Sequence, residues 1–118
     1  IFLGGVPIAE YGTPSTEEIP DAVEKYLPYF DAVLLENHGA LSYGESLTNA
    51  YYKMESVEFY AQLMFLSMQL GGPKEIDAKQ VARLYELRNS YNVQGKHPSI
   101  LIKEGKTDLL NELYKGKN

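Results

Sequence analysis

The chain opens on apolar positions, with Ile1, Phe2, Leu3, Val6 and Ile8 in a run broken by Gly4, Gly5 and Pro7. Backbone breakers among β-prone residues predict a loop that leads into a short strand around Pro7 to Glu10. After Gly12 the pattern changes. Thr13 to Glu18 is a helix-start cluster in which Ser15 or Thr16 is placed to cap, and Ser15 with Glu18 has capping-box spacing. Glu17 and Glu18 fall in the first turn, where acidic groups oppose the helix macrodipole, and Pro20 is tolerated there because first-turn amides have no helical partner. Ile19, Val23, Tyr26 and Leu27 then recur at helical spacing up to Pro28.

Two short β-prone runs follow, Ala32 to Leu35 and Ala40 to Tyr43, separated by Glu36-Asn37-His38-Gly39 and closed by Gly44. They predict two strands joined by a tight polar turn. From Ser46, a candidate cap, Leu47, Ala50, Tyr51, Met54, Val57, Ala61, Met64, Phe65 and Met68 keep a helical stripe until Gly71-Gly72-Pro73. Asp77 is placed to cap a third helix carrying Val81, Leu84, Tyr85 and Leu87 and ending near Tyr91. The remainder is more polar, with Thr107 a candidate cap for a last short helix through Leu109, Leu110 and Leu113. The expected class is α/β, a three-layer α/β/α arrangement around a mixed, mostly antiparallel sheet, with Leu34, Leu35, Met54, Val57, Ala61 and Met64 in the core.

Composition narrows the function classes. The 118 residues suit one domain, and 44% hydrophobic with 23% charged is an ordinary globular balance. Eleven basic against 16 acidic residues leave a net charge of −5, mixed along the chain, which argues against a nucleic-acid or anionic-membrane partner. No cysteine is present, so disulfide frameworks and thiolate zinc sites are out. No apolar run has bilayer-spanning length and no signal-type segment opens the chain, so a soluble, cytoplasmic protein is expected. The start on Ile1, straight into an apolar run, suggests a piece of something longer. Ten tyrosines and no tryptophan exceed what a small core needs, and some of these rings are expected at a subunit interface or a site mouth.

Candidate chemistry is sparse. No phosphate-binding glycine loop and no nucleophile elbow occurs. Of the two histidines, His97 sits in a polar Lys-His-Pro-Ser string and is expected to be structural or solvent-facing, so that its replacement would change almost nothing. His38 lies between a strand and a glycine, where α/β sheets place ligand-contacting groups; a turn histidine with one backbone hydrogen bond is the plain alternative.

Taken in order, Tyr11-Gly12-Thr13, the helix with Glu17-Glu18, the segment Leu34-Leu35-Glu36-Asn37-His38-Gly39-Ala40-Leu41, and Gly44-Glu45-Ser46-Leu47 with Ala50 resemble the class II aldolase/adducin family, of the L-fuculose-phosphate aldolase type. The resemblance runs from about Pro7 to Tyr91. It implies that residues 1–94 form the C-terminal half of such a domain, with 95–118 an extension of it. It implies a divalent cation, usually Zn²⁺, held on three histidines, of which His38 matches the one from the Asn-His-Gly turn. Neutral imidazole suits Zn²⁺, and Gly39 lets the backbone bend beside it.

Tyr11 matches an aromatic position lining the family's substrate site near a subunit boundary. Tyr91 matches a mobile tyrosine that acts as proton donor at the aldehyde; a helix-end tyrosine covering the core is the alternative. The implied activity is metal-assisted aldol cleavage or condensation of a phosphorylated ketose in a homotetramer. An epimerase, dehydratase or decarboxylase of the same superfamily, or a non-catalytic adducin-like binding domain, are the other readings. The sequence departs from the family in lacking any His-x-His and an upstream base carboxylate, so the chain alone is expected to be inactive.

Overall fold

The computed structural model describes residues 3–93 and 95–115; Ile1, Phe2 and the last three residues of the expected extension lie outside the described residues. In chain order the elements are β1 (Ile8–Ala9), α1 (Glu18–Glu24), β2 (Ala32–Leu35), β3 (Gly39–Ser42), α2 (Leu47–Gln69), α3 (Ala78–Ser90), α4 (Ser99–Lys103) and α5 (Thr107–Lys115). The sheet order is β1-β2-β3. β1 runs parallel to β2, Ile8 opposite Leu34, and β2 pairs antiparallel with β3, Val33 opposite Leu41. The mixed sheet and the polar-turn hairpin are as expected.

The long helices begin where their caps predict. Ser46 accepts the Asn49 amide at 3.1 Å and Asp77 the Gln80 amide at 3.0 Å, each satisfying an amide that the first helical turn leaves without a partner. At α1 the capping differs from the expected Ser15–Glu18 box. Ser15 adopts a left-handed backbone, φ 64°, which turns it away from a cap role. Thr16 Oγ1 accepts the Glu18 amide instead, and Glu18 reaches back to the Thr13 amide at 2.7 Å. That backbone hydrogen bond holds the Glu18 carboxyl below its ordinary pKa.

Alternation along β2 divides the core. Val33 faces α1, α4 and α5, joining Val23, Tyr26, Phe30, Leu101, Leu110 and Leu113. Residues 95–115, read from sequence only as an extension, therefore share one face of the sheet with α1 and the segment after it. Ala32 and Leu34 point the other way, where α2 packs through Val57 beside Leu3 and Val6 of the N-terminal segment. At 23 residues α2 is about 34 Å long, while a four-residue strand spans about 13 Å, so most of the helix runs past the sheet. The expected core is corrected accordingly: Val57 is buried and Leu34, Leu35 and Met54 are half-buried, but Ala61 is exposed and Met64 is 51% exposed. A second complete helical layer is absent among the described residues.

One ion pair ties α2 to the sheet. Lys53 Nζ lies 3.0 Å from Asp31 Oδ1 with both side chains buried, and also donates to the Tyr43 carbonyl at 3.0 Å. Arg88 of α3 donates to the Val93 and Gly95 carbonyls, closing the loop after α3 beside Asp31.

Of the two expectations for His97, structural or solvent-facing, the structure shows the structural one. It is buried, with Nδ1 accepting the Ser99 amide, the first of α4, at 3.2 Å and lying 2.7 Å from Ser99 Oγ. Tyr85 packs edge-on at 5.2 Å. Gly4 crosses so closely that a Cβ there would clash with the Nε2 edge of the imidazole. Desolvation, then the Arg88 charge, pushes the His97 pKa down to about 4. A side chain this enclosed is not replaceable without cost, and the polar string around it concealed that.

Candidate functional site

The turn between β2 and β3 carries the candidate site. Its geometry follows from local sequence: the His38 amide donates to the Leu35 carbonyl at 3.0 Å, and Asn37 takes the left-handed conformation, φ 60°, which asparagine tolerates. Gly39 has φ 145° with open space where a Cβ would stand, so glycine is required here for backbone freedom rather than for room. The turn stands at the C-terminal end of β2, beside the loop that leaves β1. Outside the carboxyl ends of its strands is where an open α/β sheet binds ligands.

His38 is held by that loop. Its Nε2 lies 2.8 Å from the Gly12 carbonyl oxygen, and its ring stacks on Tyr11 with centroids 5.3 Å apart and planes at 27°. A carbonyl only accepts, so Nε2 carries a proton, and the tautomer this selects has its lone pair on Nδ1. One ring N–H on a backbone carbonyl with the other nitrogen open is how metal-ligating histidines are oriented. His38 thus fits one ligand position of a divalent cation. Among the described residues no group of three His, Cys, Asp or Glu side chains could complete a metal site.

An open groove of about 680 Å³ adjoins the turn, lined by Ile8, Leu34, Leu35, Glu36, Asn37, His38, Met54 and Val57 among others. It is apolar on its α2 side and polar at the turn. Tyr11 and His38 lie side by side here. Tyr91 is not: it caps the C-terminus of α3, 69% exposed, and no hydrogen bond, ring contact or shared cavity joins it to Tyr11 or His38 among the described residues.

Two groups in the site carry no sequence signal of their own. The Glu36 carboxylate accepts the Tyr11 amide at 3.0 Å, and the Gly12 carbonyl receives His38. Gly12 is buried against the start of α1, where a Cβ would stand 2.7 Å from the Ile19 amide nitrogen. Only the approach of β1 to β2 makes these contacts, so glycine at 12 reads locally as a strand breaker and Glu36 as a solvated turn residue.

Comparison with known proteins follows the same segment. Residues 1–65 match the Class II Aldolase and Adducin N-terminal domain. The 5-deoxy-D-ribulose 1-phosphate aldolase of Bacillus thuringiensis serovar kurstaki is 30% identical over 94 residues, covering 79% of this chain and 44% of that protein. The L-fuculose phosphate aldolase of Methanococcus maripaludis is 31% identical over 71 residues, 60% of this chain and 38% of that protein. The 3-oxo-tetronate 4-phosphate decarboxylase of Escherichia coli is 32% identical over 87 residues, 74% of this chain and 39% of that protein. The chain spans less than half the length of these curated relatives. No solved structure matches it significantly. A family match over more than half of the chain, including the turn that holds His38, places this protein in the class II aldolase and adducin family.

Proposed function

We propose that the parent polypeptide is a metal-dependent lyase of the L-fuculose-phosphate aldolase type, cleaving or forming a carbon–carbon bond in a phosphorylated ketose. The observation that carries the reading is the oriented imidazole of His38, stacked by Tyr11 and open at Nδ1, at the strand-end turn. The chain's membership of the family and its relatives' phosphorylated substrates support it.

His38 would hold one position of a divalent cation, Zn²⁺ by preference, since imidazole is a favoured ligand of that ion. When bound, such a cation supplies Lewis-acid polarisation of the substrate's oxygens. Tyr11, exposed beside His38, would line the substrate site. Tyr91, at a helix end, would swing in as the acid: it gives its phenolic proton to the aldehyde oxygen in condensation and takes it back in cleavage.

The remaining ligands and the base would come from another part of the parent, with residues 1–94 forming the C-terminal half of a three-layer catalytic domain and 95–118 its extension. The 118 residues alone would then be inactive. A cytoplasmic homotetramer with sites at subunit boundaries suits the many exposed tyrosines, among them Tyr51, Tyr52 and Tyr60. No helix among the described residues is long and apolar enough to cross a membrane.

The test is His38→Ala in the parent, read by metal content and aldol-cleavage rate. Metal and activity should both be lost while the fold persists, because an exposed turn side chain contributes little to the core. Full metal occupancy with a near-normal rate would overturn the assignment. A second reading is favoured by the decarboxylase relative: release of carbon dioxide from a phosphorylated keto acid, with no aldehyde product, would move the parent to that chemistry on the same turn.

A further inference from the structure

We propose that Glu36 is a positioning residue for His38, acting at a distance through the backbone of Tyr11 and Gly12. Its functional meaning rests on the reading of His38 as a ligand, but its geometry does not.

Two bonds clamp the strap Ala9–Gly12 to the turn. The Glu36 amide donates to the Ala9 carbonyl at 3.2 Å, extending the β1–β2 ladder by one rung. The Glu36 carboxylate then takes the Tyr11 amide at 3.0 Å, where the ladder has ended and that amide would otherwise face water. One residue further along the strap, past the Tyr11 carbonyl, the Gly12 carbonyl accepts His38 Nε2–H at 2.8 Å. A closed circuit results: Glu36 side chain, Tyr11 amide, Gly12 carbonyl, His38 ring, and back through Asn37 to Glu36.

The far side of Gly12 is pinned by the first turn of α1. With Gly12 packed on α1 and its neighbour Tyr11 held by Glu36, the freedom of the Gly12 carbonyl is restricted from both sides. The direction of that carbonyl sets both which nitrogen of His38 carries the proton and how the ring lies under Tyr11. Hydrogen bonds to ionised acceptors are stronger than neutral ones, so a carboxylate is well suited to hold an exposed strap. Removing it leaves the Tyr11 amide to water at little cost in stability, but releases the carbonyl that orients the imidazole.

The experiment uses the 118-residue chain with its histidine rings labelled with nitrogen-15, observed by NMR at one mildly alkaline pH. In the native chain the His38 Nε2–H proton should be visible, slowed in exchange with water, with cross-relaxation between the Tyr11 and His38 rings. Glu36→Ala should abolish the ring N–H signal and weaken the Tyr11–His38 cross-peak several-fold, while backbone signals of β2, β3 and α2 stay in place. Glu36→Gln, whose amide oxygen still accepts the Tyr11 amide, should keep both. Persistence of both signals in Glu36→Ala overturns the proposal, as does a Glu36→Gln variant that behaves like Glu36→Ala. The readout needs neither metal nor turnover. A failure here leaves the ligand reading standing, and a parent that retains its metal in His38→Ala leaves the positioning result standing.

Discussion

The two faces of β2 are built from alternate residues of one short strand and end in opposite states. Under Val33, Tyr26, Phe30 and Leu101 are wholly buried and three helices close the face. Under Ala32 and Leu34, one helix crosses, and its further half carries Phe59, Tyr60, Met64, Phe65, Leu66 and Met68 in the open. Both faces are apolar in sequence. What separates them is the number of elements that cover each, and two of the three helices on the closed face come from residues 95–115. Contiguous exposed apolar surface of this kind marks an interaction surface. Stability in this chain is therefore expected to reside on one side of the sheet and interaction on the other.

The largest effect should come from opening the closed face. Phe30→Ala removes a fully buried ring between Tyr26 and Tyr114 and should cost about 3–5 kcal/mol, measured by urea unfolding. A cost near zero would show that the closed face is not the core. Next is the ion pair that joins α2 to the sheet. Lys53→Met leaves Asp31 buried without its partner and should cost about 3 kcal/mol, whereas Lys53→Met combined with Asp31→Leu should recover most of that. Equal losses in the single and double variants would mean that Lys53 contributes by packing alone.

A smaller effect is set by pH. The unfolded chain takes up the His97 proton near 6.5, the folded chain only near 4, so unfolding binds a proton between those values. Stability should fall as pH drops from about 6.5 to about 4 and level off below, by at most about 3 kcal/mol from this group. In His97→Phe that part of the pH dependence should vanish; an unchanged slope would place the proton uptake elsewhere. The smallest effect belongs to the open face. Phe65 is 65% exposed, and Phe65→Ser should change unfolding free energy by no more than about 0.5 kcal/mol while reducing binding of an apolar dye. A large loss of stability in this variant would erase the distinction between the faces.

Much of the fold was legible because its signals are local. Ser46 and Asp77 cap their helices through amides three residues away, and the hairpin closes over four residues, so short sequence windows hold all the partners. The one-turn helix α4 was missed because five residues are too few to show a period. Lys53 reads as a solvated position, and its burial depends on Asp31, 22 residues earlier in the chain. His97 has the same character, since the groups enclosing it come from Gly4 and Tyr85.

At the candidate site the division is the same. Asn37-His38-Gly39, with left-handed Asn37 and a glycine-only backbone at 39, was determined by sequence, as was the strand on either side, because turn chemistry and alternation are properties of adjacent residues. Family membership followed from that ordered set of residues. The orientation of the imidazole was decided only by tertiary structure: Gly12 and Glu36 reach His38 and Tyr11 because β1 pairs with β2, and a pairing between residues more than twenty positions apart leaves no trace in the local pattern. Which of two equally apolar faces is buried was likewise decided there, by which helices return across the sheet, a matter of long-range packing that no single segment encodes.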